Sequence, residues 1–430
     1  YTTTLAYDAL DRVVTTTNAL GDSATVAYDA MGRTLTQTDE RGNATRYGYD
    51  LLGRQTVVTD ALSHATQTIY DAVGNAVAVV NARGYTTTYA YDPLDRQVAI
   101  TDALGHTAAH VYDGAGNQVA TTNPRGFTTR YGYDLLNRQT VVTDALSHTT
   151  RSEYDPLSRV TAVTDALGYA TYTTYDPLGQ KLAITDAEGN TTRYAYDLLG
   201  NTTVVTNGRG YATTHEYDGE SRLVRTTDAL GGETIYAYDA VGNRTAITDA
   251  LSHATRTVYD PLDRPAVETD ALGRSTLYFY DAVGNLVEVE DRRGYTTTQV
   301  YDALNRGVAT TDAEGYTTFT HYDPQGNVVA TVNGRGYTTT FSYDPLDRQT
   351  VVTDALGYTT RTVYDPVGNE VRTVDALGYT TDYVYDALDR RTVVTDAMGY
   401  TVEAVHDAVG NTVVAANARG YTTTFAYDGL

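Results

Sequence analysis

Residues 343–363 read YDPLDRQTVVTDALGYTTRTV, and this stretch decides the fold. Asp344 opens a four-residue turn ending at Asp347, and Asp354 opens a second ending at Gly357. Asp at the first position of a turn accepts backbone N–H bonds, and Gly, Asn or Asp at its end tolerates positive φ. The runs between the turns are rich in Thr, Val and Tyr, which suit strands and make poor helices. The stretch is a β-hairpin.

The same hairpin recurs along the whole chain. Tyr-Asp returns every 21 residues from Tyr7 to Tyr427 without insertion, and only His406 replaces the Tyr. With Tyr as offset 0, offset 11 is Asp or Asn in all twenty repeats. Offset 14 is Gly in seventeen, with Ser63, Ser147 and Ser252 the exceptions. From Tyr85 to Tyr91 the aromatics fall on one face at period two, as a strand requires.

The predicted fold is all-β: a continuous antiparallel meander of 20 tandem 21-residue hairpin repeats, one array over residues 1–430 with complete repeats at 7–426. Forty strands spaced ~4.8 Å apart make a ribbon on the order of 190 Å long. Twisted sheets rarely exceed about ten strands without curling, so the ribbon is expected to coil into a superhelical tube or shell. Tyr49, Tyr70, Tyr91, Tyr112 and Tyr133 are expected to form a ladder of cross-strand contacts.

A second period of 42 residues lies under the first. Offset 5 is Arg in one phase, as at Arg54, Arg96 and Arg348, and Asn in the other, as at Asn75, Asn117 and Asn327. Arg33, Arg159 and Gln180 break this alternation. Offset 13 shows the reverse: Arg41, Arg83, Arg125, Arg209, Arg293, Arg335 and Arg419 fall in the Asn phase, while Leu167, Leu251 and Leu377 are exceptions there. The two offsets lie near turns at opposite edges of the ribbon, and turn Asp residues line both edges. If the edges meet when the ribbon coils, Arg of one coil pairs with Asp of the next. Arg suits this because its guanidinium engages a carboxylate bidentately.

Composition fits one short unit copied many times. The 430 residues include no Cys or Trp, 2 Met and 5 Phe, but 39 Tyr and 37 Gly. A net charge of −23, with Lys181 the sole lysine, is opposite in sign to what a nucleic-acid binder needs. No apolar run approaches the roughly 18 residues of a membrane helix, so no membrane insertion is expected. The absence of Cys removes disulfides, thiolate metal sites and thiol catalysis.

Catalytic patterns are missing as well. The recurring Asp residues have a sufficient role in turns, and their spacing matches neither an EF-hand nor a calcium β-roll. Several His residues share offset 15, where Tyr is common, and read as aromatic replacements; His106 and His110 share a face but have no evident third metal ligand. No nucleophile elbow or phosphate loop occurs, so no enzyme activity, cofactor or metal site is expected.

The Tyr-Asp dipeptide, the following Gly53-Arg54 or Gly74-Asn75, the turn Asp and the Gly-x-x-Thr run resemble the RHS/YD-repeat family across essentially the whole chain. The resemblance implies a β-ribbon wound into a hollow cocoon or barrel. It implies roles in bacterial Rhs and insecticidal toxin-complex shells, wall-associated proteins and teneurins, and hence an extracellular or cell-surface location, bacterial in origin. The family's self-cleaving core segment has no match here, and neither a toxin tip nor an N-terminal plug is seen, so those activities do not carry over.

The chain opens with YTTTLAYDAL and closes with YTTTFAYDGL, neither of them a cap. Repeat arrays need capping ends to stay soluble, so an excerpt of a longer array is expected. The expected function is a structural wall of a tube, fibre or shell, with a surface adhesin and a toxin cage segment as alternatives. Expected partners are the array itself, in neighbouring coils or as continuation, and enclosed polypeptide cargo or surface glycans.

Overall fold

A computed structural model describes residues 2–428; Tyr1 at the head of the chain and Gly429 and Leu430 at its tail lie outside the described residues. The described residues are all-β and form 41 antiparallel strands in one sheet. The described pairings join strands consecutive in sequence, so the sheet is a meander. Among the described residues no helix is long and apolar enough to cross a membrane. By contact the chain divides into two compact units, Tyr1–Tyr89 with Ile235–Gly357, and Ala90–Thr234 with Tyr358–Leu430.

In the first unit, strands Ala44–Tyr49, Gln55–Thr59 and Ala65–Tyr70 show how a repeat is built. The turn between the first two is closed by Gly53 N–H to Asp50 O and Asp50 N–H to Arg54 O, each 3.0 Å. Gly53 has φ of 81°, as the last residue of a three-residue loop with a G1 bulge requires. The second turn repeats the plan: Ser63 N–H bonds Asp60 O, and Ser63 takes φ of 68°. That is costly for a residue with a Cβ, which explains why Gly fills this place in most repeats.

The turn Asp caps its own loop. Asp50 Oδ1 accepts Leu52 N–H and Arg54 N–H, each at 2.9 Å, leaving Oδ2 for the Arg54 side chain at 2.7 Å. Asp60 does the same for Leu62 and His64, and His64 Nδ1 lies 3.0 Å from Asp60 Oδ2. His106, His148 and His253 hold Asp102, Asp144 and Asp249 in the same way. The histidines of offset 15 therefore act as partners of the turn Asp.

A bulge explains the Tyr that precedes each Asp. Gly48 pairs with Val57 but Tyr49 with Gln55, so Thr56 has no opposite residue. The displaced Gln55 carbonyl is taken up by the next Tyr, whose Oη donates to it from Tyr70 at 2.9 Å. Unit two repeats this at Tyr112 to Gln97 O (3.1 Å) and Tyr133 to Gln118 O (2.9 Å). His406 preserves the contact, with Nε2 3.1 Å from Arg391 O.

Only Ala78 and Ala162 are buried among the described residues. With so little core, ladder bonds, capped turns and the Tyr side chains hold the ribbon. Burial alternates along strands, as in Thr86–Tyr91, where Thr87, Tyr89 and Tyr91 face the more covered side.

Candidate interface along the ribbon edges

In the first unit the second-turn edge of an early stretch meets the first-turn edge of a later one. Arg83 inserts between two successive turns: Nη1 donates to Asp344 O (3.0 Å) and Asp347 Oδ1 (2.6 Å), and Nη2 donates to Tyr343 O (3.3 Å). Its Nε lies 3.6 Å from Asp323 Oδ2 on the preceding turn. Arg41 repeats the arrangement with Asn305 Oδ1 and Tyr301 O, each at 3.0 Å, and Asp281 at 3.5 Å.

The second unit contains the same contact. Arg125 reaches Asp389 Oδ1 at 2.5 Å, Tyr385 O at 3.2 Å and Asp386 O at 3.0 Å, with Asp365 at 3.5 Å. All three arginines contact residues 240 later (281 minus 41) and 264 later (305 minus 41). Each arginine therefore sits between the first turns of the repeats twelve and thirteen further along the chain.

The socket is assembled by the alternating residues. Asn327 Nδ2 donates to its own turn's Asp323 (2.9 Å) and to Asp347 of the next turn (2.8 Å), which positions the acceptor for Arg83. Asn285 to Asn305 and Asn369 to Asp389 do likewise, each at 2.9 Å. Offset 4 also alternates: Asn305, Asp347 and Asp389 in one phase, Gly284, Gly326 and Gly368 in the other. Each Asn or Asp there takes positive φ, as at Asp347 with 62°, so its side chain is kept for its acceptor oxygen at some conformational cost.

The arginine is prepared on its own side. Arg83 lies over Tyr85 and Arg125 over Phe127, each 4.8 Å from the ring centre, which fixes the guanidinium plane. The turn residues beside them are Asn81 and Asn123, so no local carboxylate competes. Burial works against the charge of Arg83, but the Asp347 carboxylate, aided by Asp323, outweighs it and raises its pKa. Burial likewise works against Asp323, and bonds from Asn327 and Gln325 with the charge of Arg83 bring its pKa below the ordinary value.

Three of the expected edge arginines are placed differently, which is a correction. Arg54, Arg96 and Arg348 hold Asp50, Asp92 and Asp344 of their own turns, each Nε–Oδ2 distance being 2.7 Å. At offset 5 the side chain starts one residue past its turn and curls back on it. Arg54 and Arg96 then donate to the next turn's carbonyl, Asp71 O at 2.8 Å and Asp113 O at 2.9 Å, zipping turns along one edge. Their guanidinium groups cover Tyr70 and Tyr112 at 4.8 and 4.9 Å, and Arg33 covers Tyr49 at 4.7 Å.

Arg209, Arg293, Arg335 and Arg419 have the offset of Arg83 but are exposed. Among the described residues none of them reaches another stretch of ribbon. No group of three or more potential metal ligands occurs among the described residues.

Family comparisons fit this geometry. The RHS Repeat family matches residues 28–65, 70–107, 112–149, 139–171, 154–191, 175–212 and 364–401, together half of the chain. The Teneurin YD-shell family matches residues 198–369. No curated protein matches the chain. Among solved structures, TcdB2-TccC3-Cdc42 aligns over 96% of this chain and 28% of that one, with TM-score 0.72 and 14% identity. TcdB2-TccC3 aligns over 96% and 29%, with TM-score 0.60 and 16% identity. At these identities the likeness is one of fold, and the chain spans under a third of the length of those it matches.

Proposed function

The chain belongs to the RHS-repeat family, and we propose that it is a non-catalytic structural protein whose β-ribbon forms the wall of an extracellular tube, fibre or encapsulating shell. The observation that carries this reading is the seating of Arg41, Arg83 and Arg125 in first-turn sockets of a later stretch. Such contacts turn a narrow ribbon into a surface several strands wide, and they use the residues that distinguish one repeat from the next. The Tyr hydroxyls at offset 0 are spent on backbone carbonyls, which suits a wall better than a binding face.

Exposed Tyr295, Tyr337 and Tyr421 at offset 15 favour a second reading, a surface module that binds glycans. Tyr85 at the same offset is half-buried beside its seated Arg, so wall formation accounts for this row as well.

Electron microscopy of the 430-residue chain tests the proposal. Particles whose ribbon edges abut in a continuous wall are expected. Long open ribbons would overturn the wall reading, and retention of soluble glycans by the Tyr295–Tyr421 row would turn it toward the adhesin. A polypeptide fused to the chain that became protected from protease would narrow the wall to a shell with cargo.

A further inference from the structure

Two residues before the repeat Tyr, the first unit has an aromatic row with a gap in it. Tyr236 pairs with Ile247 and Tyr278 with Val289, and between them in the sheet Thr257 pairs with Glu268. Thr257 is too short to fill the space that a ring fills on either side, and the gap is a cleft of about 450 Å³. A volume of this size holds a small organic molecule. The lining residues run from Arg244 to Leu286, all on strands of the first unit.

Two charged side chains line the cleft, and both depart from the usual repeat. Offset 9 is Val, Ile, Thr, Gln or Ala in the other repeats, and Glu268 is the one charged residue there. Arg244 stands at offset 6, where Arg recurs once, at Arg391. Glu268 is half-buried, and its Oε2 accepts the Tyr278 hydroxyl at 3.1 Å. A carboxylate offers roughly four acceptor sites, so most of its capacity is unused. The Arg244 guanidinium lies over the Tyr236 ring, 5.9 Å from its centre. Among the described residues no ion pair joins Arg244 to Glu268, and neither has one elsewhere.

The rest of the cleft is preformed. Burial, reinforced by the bond to Glu268, raises the pKa of Tyr278, so its hydroxyl stays a donor and holds the carboxylate in place. Tyr259 and Tyr280 are pinned by their hydroxyls, to Arg244 O at 3.0 Å and Pro265 O at 2.9 Å.

A cleft of about 390 Å³ in the second unit shows what Glu268 adds. Arg391 lies 5.6 Å from the centre of the Tyr383 ring, and Ala404 stands in the place of Thr257. The place of Glu268 is taken by Ala415. Glu403 borders this cleft but pairs with Val393, in the register of the opposite face. A short residue in the aromatic row beside an Arg at offset 6 therefore opens a cleft, and Glu268 gives one of the two a second charge.

We propose that the cleft between Arg244 and Glu268 binds a small elongated zwitterion, with its carboxylate at Arg244, its ammonium group at Glu268 and a planar apolar body over Thr257 and Tyr259. The charges follow from the two side chains: a guanidinium engages a carboxylate bidentately, and the free carboxylate oxygen accepts from an ammonium group. The length follows from the sheet. Arg244 and Glu268 stand two strands apart, ~9.6 Å between backbones, so the charges of the ligand lie at opposite ends of its body. The planar body follows from the gap, because a ring over Thr257 continues the row of Tyr236 and Tyr278. This site goes beyond the wall reading and does not depend on it.

Calorimetric titration of the full 430-residue chain with para-(aminomethyl)benzoate tests the site. Saturable binding of about one molecule per chain is expected at ligand concentrations up to about 10 mM. Benzylamine lacks the carboxylate, benzoate lacks the ammonium group, and phenylalanine carries both charges on one carbon. Each is expected to bind at least about tenfold more weakly. Glu268→Gln keeps an acceptor for the Tyr278 hydroxyl, and Arg244→Gln introduces a residue that Gln55 and Gln97 already supply at this offset. Each variant is expected to bind the zwitterion at least about tenfold more weakly than the wild type. Glu268→Gln should erase the preference for the zwitterion over benzoate, and Arg244→Gln the preference over benzylamine. Absence of saturable binding, an analogue that binds as tightly as the zwitterion, a second molecule per chain, or variants that bind as the wild type does would overturn the proposal.

Discussion

Arg83 and Arg293 share an offset, a phase and an aromatic neighbour, yet they live in different surroundings. Arg83 keeps 14% of its side-chain surface exposed and Arg293 keeps 75%. Each lies 4.8 Å from its own ring, over Tyr85 and Tyr295. The leucines of the other phase divide in the same way, Leu62 at 39% and Leu272 at 76%. Local sequence therefore sets the posture of the edge residue, and the presence of a ribbon twelve repeats later sets whether it is covered. One repeat is written to serve both as interior seam and as outer margin.

The largest effect expected is on this contrast. Arg83→Ala should cost about 2 kcal/mol, because Asp347 and two backbone carbonyls lose charge-assisted bonds in a half-buried place. Arg293→Ala should change stability by less than about 0.5 kcal/mol. Native-state hydrogen exchange at residues 343–347 and at 291–295 reads the two separately. Equal costs at both positions would break the comparison.

Acid should erase the contrast before it unfolds the strands. Asp323 has its pKa lowered against burial by Asn327, Gln325 and Arg83. At the turns, backbone N–H of Arg54 and of Arg138 hold Asp50 and Asp134 below the ordinary 3.8, and that of Arg274 brings Asp270 to about 2. A lowered folded-state pKa contributes stability that is present above 3.8 and is lost as pH falls through the folded value. Stability should therefore be level near neutral pH and decline below about pH 4, with the Arg83→Ala difference shrinking over the same window. A constant difference down to pH 2 would contradict the role of the carboxylates.

A smaller effect should ignore the contrast. Tyr343→Phe, beside a covered edge, and Tyr133→Phe, beside an open one, each remove one hydroxyl bond to a bulged carbonyl, to Val328 O at 2.8 Å and to Gln118 O at 2.9 Å. Each should cost about 1 kcal/mol. A large difference between them would show that the Tyr acts through the edge instead of within its repeat. Ser63→Gly should be the mildest change, a gain below about 1 kcal/mol in melting experiments, because it relieves a positive φ of 68° while adding freedom to the unfolded chain.

Much of this was legible before any coordinates. Asp and Gly at fixed offsets announce both turns, and the Thr, Val and Tyr runs announce strands. The 42-residue alternation was visible in Arg and Asn and pointed to the edges. Three things were hidden. The bulge opposite Tyr49 has no residue signature, so the task of the Tyr hydroxyl could not be read. Arg54 looks like Arg83 in a list of edge charges, and only the geometry of starting one residue past the turn sends it home to Asp50. The separation of 240 to 264 residues depends on how tightly the ribbon winds, which is a sum of small twists that no single repeat encodes. The alternation of Asn305, Asp347 and Asp389 with Gly at offset 4 was available in the sequence and would have identified the acceptors.

A double-mutant cycle on Arg83 and Asp347 tests the seated arginine and its socket most directly. Arg83→Ala, Asp347→Gly and their combination are compared through hydrogen exchange at residues 343–347, with Gly chosen because it removes the acceptor, tolerates the positive φ of 62° and already stands at this offset in Gly326 and Gly368. A coupling of about 1 kcal/mol or more between residues 264 apart is expected. Additivity within about 0.3 kcal/mol would mean that the two edges merely lie side by side.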